Sequence, residues 1–203
     1  MIKNIISDLG GCLFFCDFKS ATEKLAEYSS LSGKMIFEKI DSKNEDYKNF
    51  IKGLISPEIF YKKIKEKINF NNSFETFKKI WMEQLFSVNK EYAKLCIVLL
   101  KSGYKIYCLS NIDEMHWKKI TGDFYEMDFF HGCFVSYQMK KIKPATEIYE
   151  EVITKIKGQP DEFLFIDDRK ENVEGARKTG MYALLYRHKE HDEFVKTIEL
   201  LLK

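Results

Sequence analysis

A chain of 203 residues is long enough for one well-buried core with an accessory element, and too short for two large independent domains. Hydrophobic residues at 45% and charged residues at 32% exclude a disordered chain, and 33 Lys and Arg against 31 Asp and Glu leave a net charge of only +2. That balance argues against a nucleic-acid partner, so one globular domain carrying an insertion is expected.

Lys3 to Ser7 reads as a short, largely apolar strand running into Asp8-Leu9-Gly10-Gly11, where the glycines force a turn. Chemistry placed on Asp8 then sits at a strand's C-terminal end. From about Ser20 to Phe86 the pattern turns helical. Ser20 and Glu23 have capping-box spacing, and Ser56-Pro57 has the form of an N-cap followed by proline at the first helical position. Phe60, Ile64 and Ile68 repeat every four residues, and Ser73 starts a further helix with Phe74, Phe77, Trp81 and Leu85 on one stripe.

After this bundle the spacing of Tyr92, Leu95, Cys96 and Leu99 predicts a helix that Gly103 ends, followed by a strand from Tyr104 to Leu109. A strand near Cys133 to Ser136, a helix from Ala145 to about Lys157 and a strand from Phe163 to Ile166 come next. Helix Asn172 to Thr179, strand Tyr182 to Leu185 and a last helix near Asp192 to Leu202 complete an alternation that predicts a doubly wound α/β core. The helical stretch is too long for a plain crossover and reads as an inserted cap.

The five cysteines are odd in number and four sit in apolar or aromatic surroundings, so reduced thiols are expected. Cys12 and Cys16 find no second Cys/His pair at metal-site spacing. The opening MIKNIISDLGG has no long apolar stretch, and nowhere do about 18 apolar residues run uninterrupted. No membrane partner and a cytoplasmic location are the expectations.

Four polar clusters interrupt the apolar strands: Asp8, Ser110-Asn111, Lys143-Pro144 before a helix, and Asp167-Asp168. Strand C-termini of an open parallel sheet line one crevice, so residues distant in sequence would meet there. A carboxylate nucleophile is repelled by a doubly negative phosphate monoester unless a divalent cation and fixed donors neutralise the transferring group. Asp8 and Asp168, with a backbone carbonyl such as that of Gly10, suit magnesium, while Ser110 and Lys143 suit the phosphoryl oxygens.

Through these residues the chain resembles the haloacid dehalogenase superfamily over essentially its whole length. IISDLGG matches the strand ending in a nucleophilic Asp, CLSN the strand-terminal Ser or Thr, KIKPATEIYEEV the Lys before a helix, and FLFIDDRKENVEGA the acidic pair. The resemblance implies that Asp8 and Asp168 bind magnesium, that Asn172 and Asp167 support the metal shell, and that Ser110, Asn111 and Lys143 contact phosphate. DLGG, LSN followed by His116, and SYQMKKIKP are most similar to the small-capped bacterial phosphatases that include an α-glucose-1-phosphate phosphatase. Two positions depart from the pattern. Gly10 stands where most phosphatases of the superfamily carry a second Asp as general acid and base, though the glucose-1-phosphate phosphatase group shares the glycine. Ser7 replaces a usual large apolar residue.

His116, about one turn into a helix after Ser110, is a candidate to reach substrate or leaving group, with a packing role as the alternative. Phe14 and Phe15 either line the pocket or pack in the core, and His188 and His191 read as solvated. The expectation is therefore a Rossmann-like doubly wound parallel sheet, residues 1–17 and 88–203, with an inserted helical cap, residues 18–87. It would be a magnesium-dependent phosphatase of a small phosphorylated metabolite, a sugar phosphate among the candidates, working through a phosphoaspartate on Asp8. The rivals are a haloacid dehalogenase, which needs no magnesium, and a catalytically weak member that binds phosphorylated ligands or a protein.

Overall fold

The computed structural model describes residues 1–41, 43–83 and 85–202. Strand β1 (Asn4–Ser7) is followed by β2 (Phe14–Asp17) and by five helices, α1 (Phe18–Ala26), α2 (Gly33–Ile40), α3 (Glu45–Ile51), α4 (Pro57–Lys67) and α5 (Phe74–Met82). Strand β3 (Leu85–Val88) leads into α6 (Lys90–Lys101), β4 (Lys105–Ser110), α7 (Glu114–Asp123), β5 (Gly132–Val135) and the short α8 (Ser136–Met139). Helix α9 (Thr146–Ile156), β6 (Phe163–Asp167), α10 (Lys170–Arg177), β7 (Tyr182–Leu185) and α11 (His191–Leu201) close the chain.

Five parallel strands form one sheet in the order β5-β4-β1-β6-β7. β1 and β6 are buried along their whole length, as expected of central parallel strands covered on both faces. Alternate residues serve opposite faces. Ile5, Leu164 and Ile166 pack with Leu95, Cys96 and Leu99 of α6 and with Phe194 and Ile198 of α11, whereas Ile6, Leu109 and Phe165 pack with Ile148, Tyr149 and Val152 of α9 and with Val173 of α10. Because β1 is hydrogen-bonded to β4 on one side and β6 on the other, the ends of three strands, at Asp8, Ser110 and Asp167, meet above the centre of the sheet.

Helices α1–α5 build a second apolar cluster around Phe50, Phe60, Phe77 and Trp81, with Phe50 and Phe60 stacked at 4.2 Å. Ser56 and Ser73 cap α4 and α5 as their sequences predict, and Phe60, Ile64 and Ile68 are all buried. Two local expectations are corrected. The N-cap of α1 is Asp17, whose Oδ1 accepts from Ser20 N at 3.0 Å, so Ser20 lies inside the helix. The stripe on α5 ends at Trp81, because the helix stops at Met82 and Leu85 opens β3.

A two-stranded antiparallel ribbon of β2 and β3, absent from the predicted elements, joins the bundle to the sheet. Further contacts fix the bundle over the strand ends: Ser136 Oγ donates to Ile51 O at 2.6 Å and Lys140 Nζ to Gly53 O at 2.6 Å. Among the described residues no helix is long and apolar enough to cross a membrane.

Candidate active site

Between the sheet ends and the bundle lies a cavity of about 800 Å³. Its lining includes Asp8, Gly10, Ser110, Asn111, Lys143, Asp168 and Asn172, so the structure brings the four separated motifs together. Asp167 lies directly beneath, fully buried.

Asp8 follows β1 and is held from both sides. Its backbone N–H donates to Ile166 O at 2.9 Å, and its carbonyl accepts from Ser7 Oγ at 2.6 Å. Ser7, the position that departs from an apolar residue, is therefore a buried hydroxyl paired also with Tyr92 Oη at 2.8 Å. Asp8 Oδ1 accepts from Leu9 N at 2.7 Å and pairs with Lys143 Nζ at 2.9 Å. Its Oδ2 has no protein donor among the described residues.

Lys143 Nζ donates to Asp167 Oδ2 at 2.7 Å and to Leu109 O at 2.8 Å, and forms an ion pair with Asp8 Oδ1. Burial opposes its charge, but the Asp167 and Asp8 carboxylates outweigh burial and hold the ammonium well above the ordinary lysine range. Asp8 is pushed up to about 7, chiefly by burial, with Lys143 pulling down and Asp167 and Asp168 adding to the rise.

The neighbouring acids differ in kind. Asp167 Oδ1 accepts from Arg169 N at 2.8 Å and Asn172 Nδ2 at 2.9 Å, and its Oδ2 accepts from Asn172 Nδ2 at 3.0 Å as well as from Lys143. Asp168 is partly exposed on the cavity side, and its partial enclosure together with the Asp167 charge raises its carboxyl. Gly11, at φ +75°, lets the loop after β1 close on this residue; a Cβ there would run into the Asp168 carboxylate.

Carboxylate oxygens of Asp8, Asp167 and Asp168 lie within 4.8 Å of one another. Three carboxylates against the single ammonium of Lys143 leave an excess of negative charge, and the donors are hard oxygens. That set fits a magnesium ion, with Asp8 and Asp168 holding the free oxygens and Asp167 already saturated by protein donors. Ser110 is buried at the end of β4, and its hydroxyl has no hydrogen-bond partner among the described residues although it faces the cavity.

Of two expected substrate contacts, one lines the cavity and the other does not. Asn111 lines the cavity and also places Oδ1 on Lys143 N and Nδ2 on Lys143 O, each at 2.9 Å, so its side chain clasps the lysine's backbone as well. His116 does not line the cavity. Its Nδ1 lies 2.5 Å from Asp113 Oδ2 and its Nε2 2.8 Å from Trp81 O, which makes it a buried link between α7 and the end of α5. Asp113 at i−3, the N-cap of α7, was the sequence signal for that role. Of the paired aromatics, Phe14 is core and Phe15 lines the cavity. His188 stacks edge-on against Phe15 at 4.9 Å. Tyr47 and Trp81, which the sequence reading did not assign to the site, also line it.

The family model described as haloacid dehalogenase-like hydrolase matches residues 14–186. The chain is 29% identical to a sesquiterpene phosphatase of Aspergillus oryzae over 90% of this chain and 88% of that one. It is 26% identical to a D-ribitol-5-phosphate phosphatase of Bacteroides thetaiotaomicron over 89% of each. Among solved structures, a haloacid dehalogenase family enzyme of Bacteroides thetaiotaomicron in complex with magnesium and inorganic phosphate superposes with a TM-score of 0.80 at 28% identity, covering 93% of this chain and 96% of that one. An L-2-haloacid dehalogenase of Xanthobacter autotrophicus shares the fold, with a TM-score of 0.67 at 17% identity over 90% of this chain and 76% of that one.

Proposed function

Since this chain belongs to the haloacid dehalogenase-like hydrolases and is a magnesium-dependent phosphatase of small molecules, we propose that its reaction runs through Asp8 as the nucleophile. The observation that carries this reading is the asymmetry of the Asp8 carboxylate. Leu9 N and Lys143 hold Oδ1, whereas Oδ2 is free toward the cavity. We further read residues 1–17 and 88–203 as the catalytic core and 18–87 as its cap, supported by the separate apolar cluster of α1–α5 and by the β2–β3 ribbon at the junction.

In this mechanism Asp8 attacks phosphorus, the P–O bond to the leaving alcohol breaks, and an acyl phosphate forms on Asp8; water then attacks its phosphorus and restores the carboxylate. Asp8, Asp168 and the Gly10 carbonyl would hold magnesium, which would supply charge neutralisation for the transferring group. Lys143 fixes Asp8 and faces the phosphoryl oxygens with positive charge, and the Ser110 hydroxyl donates to one of them. Asn111 keeps Lys143 in place from its backbone, and Asn172 and Asp167 orient the acidic side of the site.

The substrate is a small phosphorylated metabolite. The names of the two phosphatase relatives point to organic groups of opposite character, one a terpenoid and one a polyol, so they do not select between them. The acidic cluster, which suits a hard divalent cation, argues against a metal-free dehalogenase. The test is release of phosphate from a panel of phosphomonoesters with and without magnesium. Wild type should turn over only with the metal and Asp8→Asn not at all; turnover by Asp8→Asn within a few-fold of wild type contradicts the reading.

A further inference from the structure

The cavity has two unlike halves. Its core side carries the charged and polar groups, Asp8, Ser110, Lys143, Asp168 and Arg169. Facing them from the bundle and ribbon are Phe15, Phe18, Phe37, Ile40, Trp81 and Phe86.

Polar side chains on this second side are few beside the aromatic and aliphatic ones: Thr22, Asp41, Tyr47 and Lys48. Thr22 Oγ1 donates to Lys19 O at 3.0 Å, Lys48 Nζ pairs with Glu45 at 3.6 Å, and Asp41 Oδ1 accepts from Lys43 N at 2.9 Å. The phenol of Tyr47 is the one cap hydroxyl in the lining without a hydrogen-bond partner among the described residues. A sugar or polyol brings about one hydroxyl per carbon, and each one enclosed without a partner weakens binding. Aromatic and branched aliphatic walls supply no such partners, but they favour any hydrocarbon that leaves water against them.

Resting on the phosphatase reading of this site, we propose that the organic part of the substrate is apolar, an alkyl or aryl phosphomonoester rather than a sugar or polyol phosphate. The phosphoryl group binds the charged core side and the hydrocarbon lies along the aromatic wall of the cap. A cavity of about 800 Å³ has room for both. Tyr47 provides one directional contact for a single polar substituent.

Two series test this. The first measures by calorimetry the binding of non-hydrolysable n-alkyl phosphonates of increasing length to the magnesium-loaded protein, and the second measures kcat/KM for the matching n-alkyl phosphates. Leaving-group acidity is nearly constant along such a series, so the slope reports the wall alone. Affinity and kcat/KM should each rise about 4-fold per methylene over the first several carbons, and pentyl phosphonate should bind more tightly than the phosphonate analogue of ribitol 5-phosphate. Phe37→Ser, a change on a half-exposed residue of α2, should flatten the slope. A flat dependence on length, or a polyol phosphonate bound more tightly than the alkyl phosphonate of equal carbon number, overturns the proposal. Hydrolysis of acetyl phosphate that disappears in Asp8→Asn reports separately on the phosphatase reading, and the phosphonate series decides the apolar-substrate proposal whichever way that control falls.

Discussion

Lys143 Nζ and Asp8 Oδ1 lie 2.9 Å apart, the lysine fully enclosed and the aspartate open on one side only. The same ammonium balances Asp167, so it is structural and chemical at once. Lys143→Met should lower kcat by at least about 10²-fold, the scale of losing a positioned electrostatic donor. It should also destabilise the fold by about 3 kcal/mol by leaving Asp167 unpaired in the interior. Urea unfolding alongside steady-state kinetics checks both, and an active variant of unchanged stability would refute the dual role.

The adjacent acids should separate under mutation. Asp167→Ala removes the acceptor of Lys143, Asn172 and Arg169 N, and each buried donor left unsatisfied costs about 1–3 kcal/mol. Asp168 has its oxygens on the cavity side, so Asp168→Ala should leave stability nearly intact and weaken magnesium binding more than Asp167→Ala does. Calorimetric titration with magnesium and thermal melts of both variants make the comparison; the reverse order of affinities would show the pair misassigned.

His116 predicts a pH dependence of stability. Both of its ring nitrogens face acceptors, Asp113 Oδ2 and Trp81 O, and a neutral imidazole can donate to only one. Burial opposes its charge, but Asp113 and the Trp81 carbonyl outweigh burial and raise the histidine above its ordinary 6.5, while Asp113, against its own burial, is held below the usual carboxylate range by His116. With the folded value raised, the histidine's contribution is complete below about 6.5 and is lost as pH climbs through the raised value. The Asp113 contribution is present above its ordinary value and is lost as pH falls through the lowered one. Urea midpoints from pH 6 to pH 9 should fall in wild type and stay flatter in His116→Gln; parallel profiles would show that the ring does not titrate in the fold.

Gly10 stands where the family resemblance places a general acid, and the backbone there accepts a Cβ. A Cβ would meet only Cys16 Sγ at 3.6 Å, an ordinary contact, and the backbone is not left-handed. Wild-type rates should fall steeply as the leaving alcohol becomes less acidic, and Gly10→Asp should recover up to about 10²–10⁴-fold on the poorest leaving groups. A graded series of aryl phosphates measures the slope. A flat wild-type slope, with chemistry rate-limiting, would mean that another group donates the proton.

What the sequence made legible follows the range of each signal. Apolar runs ending in Asp8, Ser110 and Asp167 located β1, β4 and β6 to within a residue or two, because strand and turn preferences are local. Ser56 and Ser73 were readable as caps for the same reason. The β2–β3 ribbon escaped, since Phe14–Asp17 is short, mostly exposed, and paired with a strand about seventy residues away in the chain. Asn111 was readable as a neighbour of Ser110 but not as a clasp on Lys143, a contact that forms only when two loops meet. The inward turn of Tyr47 likewise depends on how α3 packs in the bundle, which no local pattern records.

A covalent phosphate on Asp8 is the step on which the proposed mechanism depends. Wild-type protein with magnesium, mixed with a radiolabelled phosphomonoester that carries a good leaving group, would be quenched in acid at successive times before the steady state and mapped by peptide mass spectrometry. Acid-stable phosphate should accumulate on the peptide that contains Asp8, ahead of free phosphate, and be absent from Asp8→Asn. Full turnover without that label at any time, together with an Asp8→Asn variant that keeps its rate, would contradict Asp8 as the nucleophile.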